Sequence, residues 1–145
     1  MQSGASKSAQ AKRRRGTAAV EFAIALPMLM LFAVGTIDFG RIPHFHQVVS
    51  NAARTGAETG ATQQFTSFTR STWEAGIEAA VQSEMQNIPD FDSSKLTYEL
   101  TTTTNVDGLA RIVVDVSYPF RTLIDWPGMP TEVQLHKRVE VLQFR

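Results

Sequence analysis

The 145-residue chain contains no cysteine. Disulfides and thiolate metal sites are therefore excluded, and an exported domain built from this sequence must rely on its core, its anchor or its partners. Acid is absent from the first 20 residues, where Lys7, Lys12, Arg13, Arg14 and Arg15 all lie. Formal charge is zero, but beyond residue 16 nine cations face all fourteen acids. A mildly acidic body with a basic cluster at one end gives no reason to expect nucleic-acid binding; the cluster reads as a topological signal. Internal repeats and a glycine-rich phosphate loop are also missing. Ser50, Ser67, Ser71 and Ser83 lack the glycine context of a nucleophile elbow.

What the sequence does have is one long apolar run. Residues 17–37, TAAVEFAIALPMLMLFAVGTI, number 21 and carry a single charge, Glu21. About 20 apolar residues in a helix cross a bilayer, so the run is long enough to span. The cations before it would keep the N-terminus cytoplasmic and send the remaining residues to the far side. Residues 1–11 are polar and small and read as a disordered leader. Pro27 would break a soluble helix but is tolerated in a membrane helix. Ala19 and Ala23, four apart, share one face and permit close helix packing, although alanine is common in such helices anyway.

Glu21 is the informative position. A carboxylate inside a bilayer costs about 2.5–3.5 kcal/mol on insertion scales, so it needs a partner or a route to water. One reading has it snorkel back to the basic cluster. The other uses Gly16: a cut there would create a new amine at Thr17 and make Glu21 the fifth residue of the mature chain. The free amine of a neighbouring helix would then offset the carboxylate and set the register of stacked subunits.

Basic residues, Gly16, four residues and then Glu21-Phe22 resemble the class III leader of type IV pilins, processed by a prepilin peptidase. GTAAVEFAIALPMLMLFAVGTIDFGR at 16–41, followed by AARTGA at 52–57, more closely resembles the TadE-like family, the pilin-like minor components of the tight-adherence (Flp) pilus machinery. The resemblance runs from residue 14 to 57, about a third of the chain. It implies a pseudopilin cut between Gly16 and Thr17, with Glu21 and Phe22 as assembly and register residues. Its implied partners are the prepilin peptidase, other Tad/Flp pilins, the inner-membrane assembly platform and inner-membrane lipid, in a homo- or hetero-oligomer without cofactor or catalysis. The implied setting is a single-pass inner-membrane protein with a periplasmic head, serving a pilus used in adherence, surface colonisation and biofilm. Pro43, close after Arg41, departs from the continuous helix such a protein would have.

The expected architecture is α+β: a leader at 1–16, a transmembrane helix at 17–41, a helical stalk at 42–61 and a head at 62–145. Asp38 and Arg41 form a charge pair ending the apolar run. After a break at Pro43, Val48, Val49, Ala52, Ala53, Gly56 and Ala57 make a small apolar face, suited to a narrow helix contact, with Arg54 and Glu58 spaced for an ion pair. Residues 62–72 read as loop, leaving Phe65 and Phe68 either plugging a core or exposed. Over 72–88, Trp73, Ile77, Val81, Met85 and Ile88 recur at helical spacing, with Thr72 as N-cap, Glu74 in the first turn and Pro89 as stop. From Lys95 the period becomes two: Leu96, Tyr98 and Leu100, then a turn at Asn105-Val106-Asp107-Gly108, then Ile112, Val114, Val116 and Tyr118 up to Pro119. A loop with Trp126-Pro127-Gly128-Met129-Pro130 leads to a last strand, about 132–144. Lys137 interrupts its apolar face, which implies an edge position or a bulge.

No catalytic constellation emerges. His44 and His46 are two apart, a spacing that does not converge on a helix, and His136 lies in another element. Asp90 and Asp92 lack the glycine and distal glutamate of a calcium loop and read as solvating the turn after Pro89. Two rivals remain. A secreted soluble binding module would use residues 22–31 as a signal-peptide core, with cleavage after Ala33-Val34-Gly35. An uncleaved anchor bearing a periplasmic enzyme is the other, and no residue cluster favours it.

Overall fold

The computed structural model describes residues 4–104 and 109–143 and divides into two compact units, Met1–Phe39 and Gly40–Arg145. Helix α1 (Gly4–Thr62) is followed by α2 (Arg70–Met85), then strands β1 (Thr97–Thr104), β2 (Ala110–Arg121) and β3 (Glu132–Leu142). The strands form one antiparallel sheet in the order β1-β2-β3. The fold is α+β with an N-terminal apolar helix, as the two periodicities require.

In the second unit, the small-residue face of α1 is buried. Val48, Val49, Ala52, Ala53, Ala57 and Ala61 all belong to the core. Their size matters at two glycines. A Cβ at Gly56 would stand 2.6 Å from Val81 Cγ2, and one at Gly60 would stand 2.9 Å from Ile77 Cδ1. Both distances are below any real carbon contact, so α2 packs against backbone at these points. The Trp73 indole N–H donates to the Gly60 carbonyl at 3.1 Å, which satisfies a buried donor across the two helices. The expected stripe of α2, Trp73, Ile77, Val81 and Met85, is buried along its whole length. It meets Ile112, Val114, Val116, Tyr118 and Phe120, the inward face of β2.

Several sequence expectations need correction. α1 begins at Gly4 and so includes part of the stretch read as a disordered leader, whose Ala, Lys, Gln and Arg are good helix formers. Pro43 does not break α1. Proline removes one backbone donor, at a typical helix-interior cost of about 3 kcal/mol. Burial of Phe45, Val48 and Val49 within the next turns offsets that loss. α2 starts earlier than expected, with Thr69 at the N-cap and not Thr72. The Thr69 hydroxyl accepts from the Thr66 backbone N–H at 2.9 Å, which closes the preceding turn. Glu74 consequently sits in the second turn, ion-paired to Arg70 at 2.7 Å. The two loop phenylalanines divide: Phe65 stacks on Trp73 with centroids 4.3 Å apart, while Phe68 is 94% exposed.

Pro119 lies inside β2 and does not end it. β1 stops pairing at Thr97, opposite Ser117, so from Tyr118 onward β2 has β3 alone as neighbour. There it is an edge, where proline is tolerated. Lys137 is explained by position: β3 is an edge strand in unbroken register with β2, with no bulge. The expected turn at 105–108 lies outside the described residues, and β3 ends at Leu142, two residues before the expected Phe144.

Candidate functional site

Residues 16–33 of α1 are exposed without exception. Val20, Phe22, Ile24, Leu26, Met28, Leu29, Met30, Leu31 and Phe32 each leave between 41% and 72% of their surface open. A soluble domain hides side chains of this kind, and a contiguous apolar surface this large requires lipid or another protein to cover it. Helix Gly16–Thr62 is the stretch long and apolar enough to cross a membrane, and none of its apolar window is buried. Within it, the Thr36 hydroxyl donates to the Phe32 carbonyl at 2.8 Å, so that this hydroxyl needs no water.

Each residue singled out from the sequence can be located on this helix. Gly16 is exposed, with no heavy atom within 4 Å of where its Cβ would stand. Thr17, Ala19, Glu21, Phe22, Ala23 and Pro27 are likewise exposed. At about 100° per residue, Thr17 and Glu21 share one side of the helix, and Ala19 and Ala23 share the opposite side. The carboxylate and the small-residue face therefore address different neighbours.

Other expected or rejected sites fall as follows. His44 and His46 are exposed on α1, and His136 is on β3, 2.6 Å from Asp115. Asp92 accepts from the Ser94 backbone N–H at 3.0 Å and from its hydroxyl at 2.7 Å, capping the short turn Ser93–Lys95. Those bonds hold its carboxyl below the usual range, the Ser94 hydroxyl contributing most. Asp90 adopts a left-handed backbone with φ of 57°. Among the described residues, no three of His, Cys, Asp and Glu converge as metal ligands.

Three features were not legible beforehand. Asp38, read as a charge closing the apolar run, is only 1% exposed. The Tyr98 hydroxyl is buried without a hydrogen-bond partner among the described residues, and burial, then Glu78 and Glu74, push it up to about 12. A cleft of about 550 Å³ opens between Arg41 and Phe45 of α1, the 88–95 connection and the start of the β2–β3 loop. Arg41 lies 5.3 Å and 5.5 Å from the ring centres of Phe45 and Phe120. A cation followed four residues later by a phenylalanine was a signal for the first of these contacts.

No curated protein and no solved structure gives a significant match to the chain. One family does: residues 16–58 match the family described as TadE-like protein, a span under a third of the chain. It contains the apolar helix, Gly16, Glu21 and the small-residue face. The family is a structural one, without catalytic function. The N-terminal helix of this chain is TadE-like, and that likeness implies a part in Tad pilus assembly.

Proposed function

We propose that the protein is a membrane-anchored minor pilin or pseudopilin, acting in a Flp/Tad-type pilus that serves adherence, surface colonisation and biofilm. The observation carrying this reading is the uncovered apolar helix with its one carboxylate, Glu21, five positions after Gly16 and inside the TadE-like match. The helix sits in the inner membrane as a single pass. The N-terminus remains in the cytoplasm, and the α+β head is periplasmic. Partners are the prepilin peptidase, other Tad/Flp pilins, the inner-membrane assembly platform and inner-membrane lipid, with no role for nucleic acid.

In this reading each residue has a task. Gly16 lies inside α1, so the peptidase must open the helix locally. Glycine is about 1 kcal/mol worse than alanine in a helix, which lowers the cost of unwinding at this junction. Cleavage leaves an amine on Thr17, on the same side of the helix as Glu21. In the bilayer Glu21 is costly by about 2.5–3.5 kcal/mol until a neighbouring subunit's amine meets it. Ala19 and Ala23 on the opposite side admit a second helix closely, while Pro27 is accommodated by the membrane setting.

Glu21→Ala tests this reading in the native cell. Insertion and cleavage are expected to proceed, because removing a charge favours insertion, while pilus assembly is impaired. Normal piliation by a Glu21→Ala strain would sink the assigned role of the carboxylate.

A further inference from the structure

We propose that the β2–β3 loop, residues 122–131, is a second membrane contact, made by apolar side chains that enter the bilayer boundary. This inference rests on the membrane-anchor reading above.

The loop's composition is unusual for a solvent-facing turn. Leu123, Ile124, Trp126, Met129 and two prolines fall within it, and Leu123 and Met129 are 62% and 53% exposed. It is also well built. Thr122 N–H donates to the Thr131 carbonyl at 3.1 Å and closes the base. Met129 N–H donates to the Trp126 carbonyl at 3.1 Å, with Pro127 next and Gly128 at φ of 81°. That is the pattern of a type II turn, whose third position demands glycine. The apolar side chains are thus displayed on a fixed backbone, which lowers the ordering cost of inserting them.

Location identifies the occupant. The cleft residues Thr122 and Leu123 share a wall with Arg41 and Phe45. Arg41 is four residues beyond Ile37, the last of the apolar run. Four residues span at most about 14 Å, so a helix crossing the bilayer through residue 37 leaves Arg41 in the interfacial layer. The base of the loop, which lines a cleft with Arg41, is therefore within reach of the headgroup layer. Its chemistry suits that layer: tryptophan and aliphatic side chains enter the boundary, and Arg41, Lys95 and Arg121 stand at phosphate level. Asp90 and Glu132 line the same cleft, and Asp92 lies 3.5 Å from Lys95. With Asp125 in the loop itself, four acids stand against three cations, so apolar insertion, not electrostatic attraction, drives the contact.

The absence of native cysteine makes the test clean, since one introduced thiol is the only labelling site. The full chain would be reconstituted in phosphatidylethanolamine–phosphatidylglycerol vesicles with a polarity-sensitive fluorophore on Met129→Cys. A control label goes on Thr103→Cys, near the opposite end of β1 from Thr97. With brominated acyl chains, the 129 label is expected to blue-shift and be quenched, from a depth of about 5–10 Å into the boundary. The 103 label should behave as in water. Adding Leu123→Ser should reduce the quenching at 129. A water-like 129 label on protein that still floats with the vesicles would overturn the loop contact and leave the anchor intact. Protein that fails to float would overturn both. A blue shift without quenching by lipid would assign the loop to a protein neighbour and end the proposal.

Discussion

The two halves of α1 use their apolar residues to opposite ends. In the first, residues 17–33 are all exposed and most of the apolar side chains are large, Phe32 at 72%. In the second, from Phe45 to Ala61, they are mostly small and one face is fully buried. The first half is apolar around its whole circumference, the second on one face only, and on that face the side chains are small. Large side chains present area to a disordered solvent of lipid tails, for which no complementary shape is needed. Alanines and glycines let a second helix come to backbone distance, which requires a specific partner in a specific register. The first half is built for exchangeable neighbours and the second for one permanent neighbour, α2.

The largest expected effect that separates them is in core deletion. Phe120→Ala, at a buried position facing the second half of α1, should destabilise the head by about 3–5 kcal/mol. Phe32→Ala should leave head stability within about 0.5 kcal/mol. Denaturant unfolding of the full chain in detergent, followed by tryptophan fluorescence, measures both; equal losses would erase the distinction.

Glycine substitutions sharpen it. Gly56→Ala drives a methyl into Val81, which is fully buried and stiff, and Gly16→Ala meets nothing. Overpacking costs about 1–3 kcal/mol and the helix gain returns about 1, so Gly56→Ala should lose about 0–2 kcal/mol net. Gly16→Ala should leave unfolding unmoved yet slow the removal of the leader, seen as accumulated full-length protein on immunoblots. A stabilising Gly56→Ala would mean the helices have room to separate.

Tyr98 offers a smaller, pH-dependent effect confined to the head. Its folded-state pKa is raised to about 12 from 10.0. The sign follows: the associated stability is fully present below about pH 10, and is lost as pH rises toward 12, because the unfolded chain ionises first. Tyr98→Phe should flatten that slope in alkaline titrations of unfolding and cost little at neutral pH, since the hydroxyl makes no hydrogen bond among the described residues. A large loss at pH 7 would reveal a partner for the hydroxyl. The smallest effect is expected at Arg54, where the exposed pair with Glu58 at 2.8 Å spans one turn of α1. Arg54→Ala should not shift the unfolding midpoint measurably.

Much of this was legible in sequence because it depends on period. The α2 stripe, the small face at 48–57 and the alternation in β1 and β2 follow from 3.6- and 2-residue repeats, and each appears in the fold. Errors concentrated at proline. Pro43 and Pro119 were read as stops by a local rule about missing donors, and both sit inside elements because tertiary context removes the demand or outweighs the loss. The site was legible in a different manner. Gly16 and Glu21 gain meaning through family likeness and not from any contact, whereas the cleft at Arg41 joins segments some 90 residues apart in sequence and carries no periodic signature.

The central claim is that the chain is cut after Gly16 and retained in the membrane by the helix that follows. Intact mass and N-terminal sequence of the protein from the carbonate-washed membrane fraction of its native cell test this directly. The account predicts a single species beginning at Thr17. A species beginning at Thr36, free of the membrane, would contradict it and identify the apolar run as a discarded signal peptide.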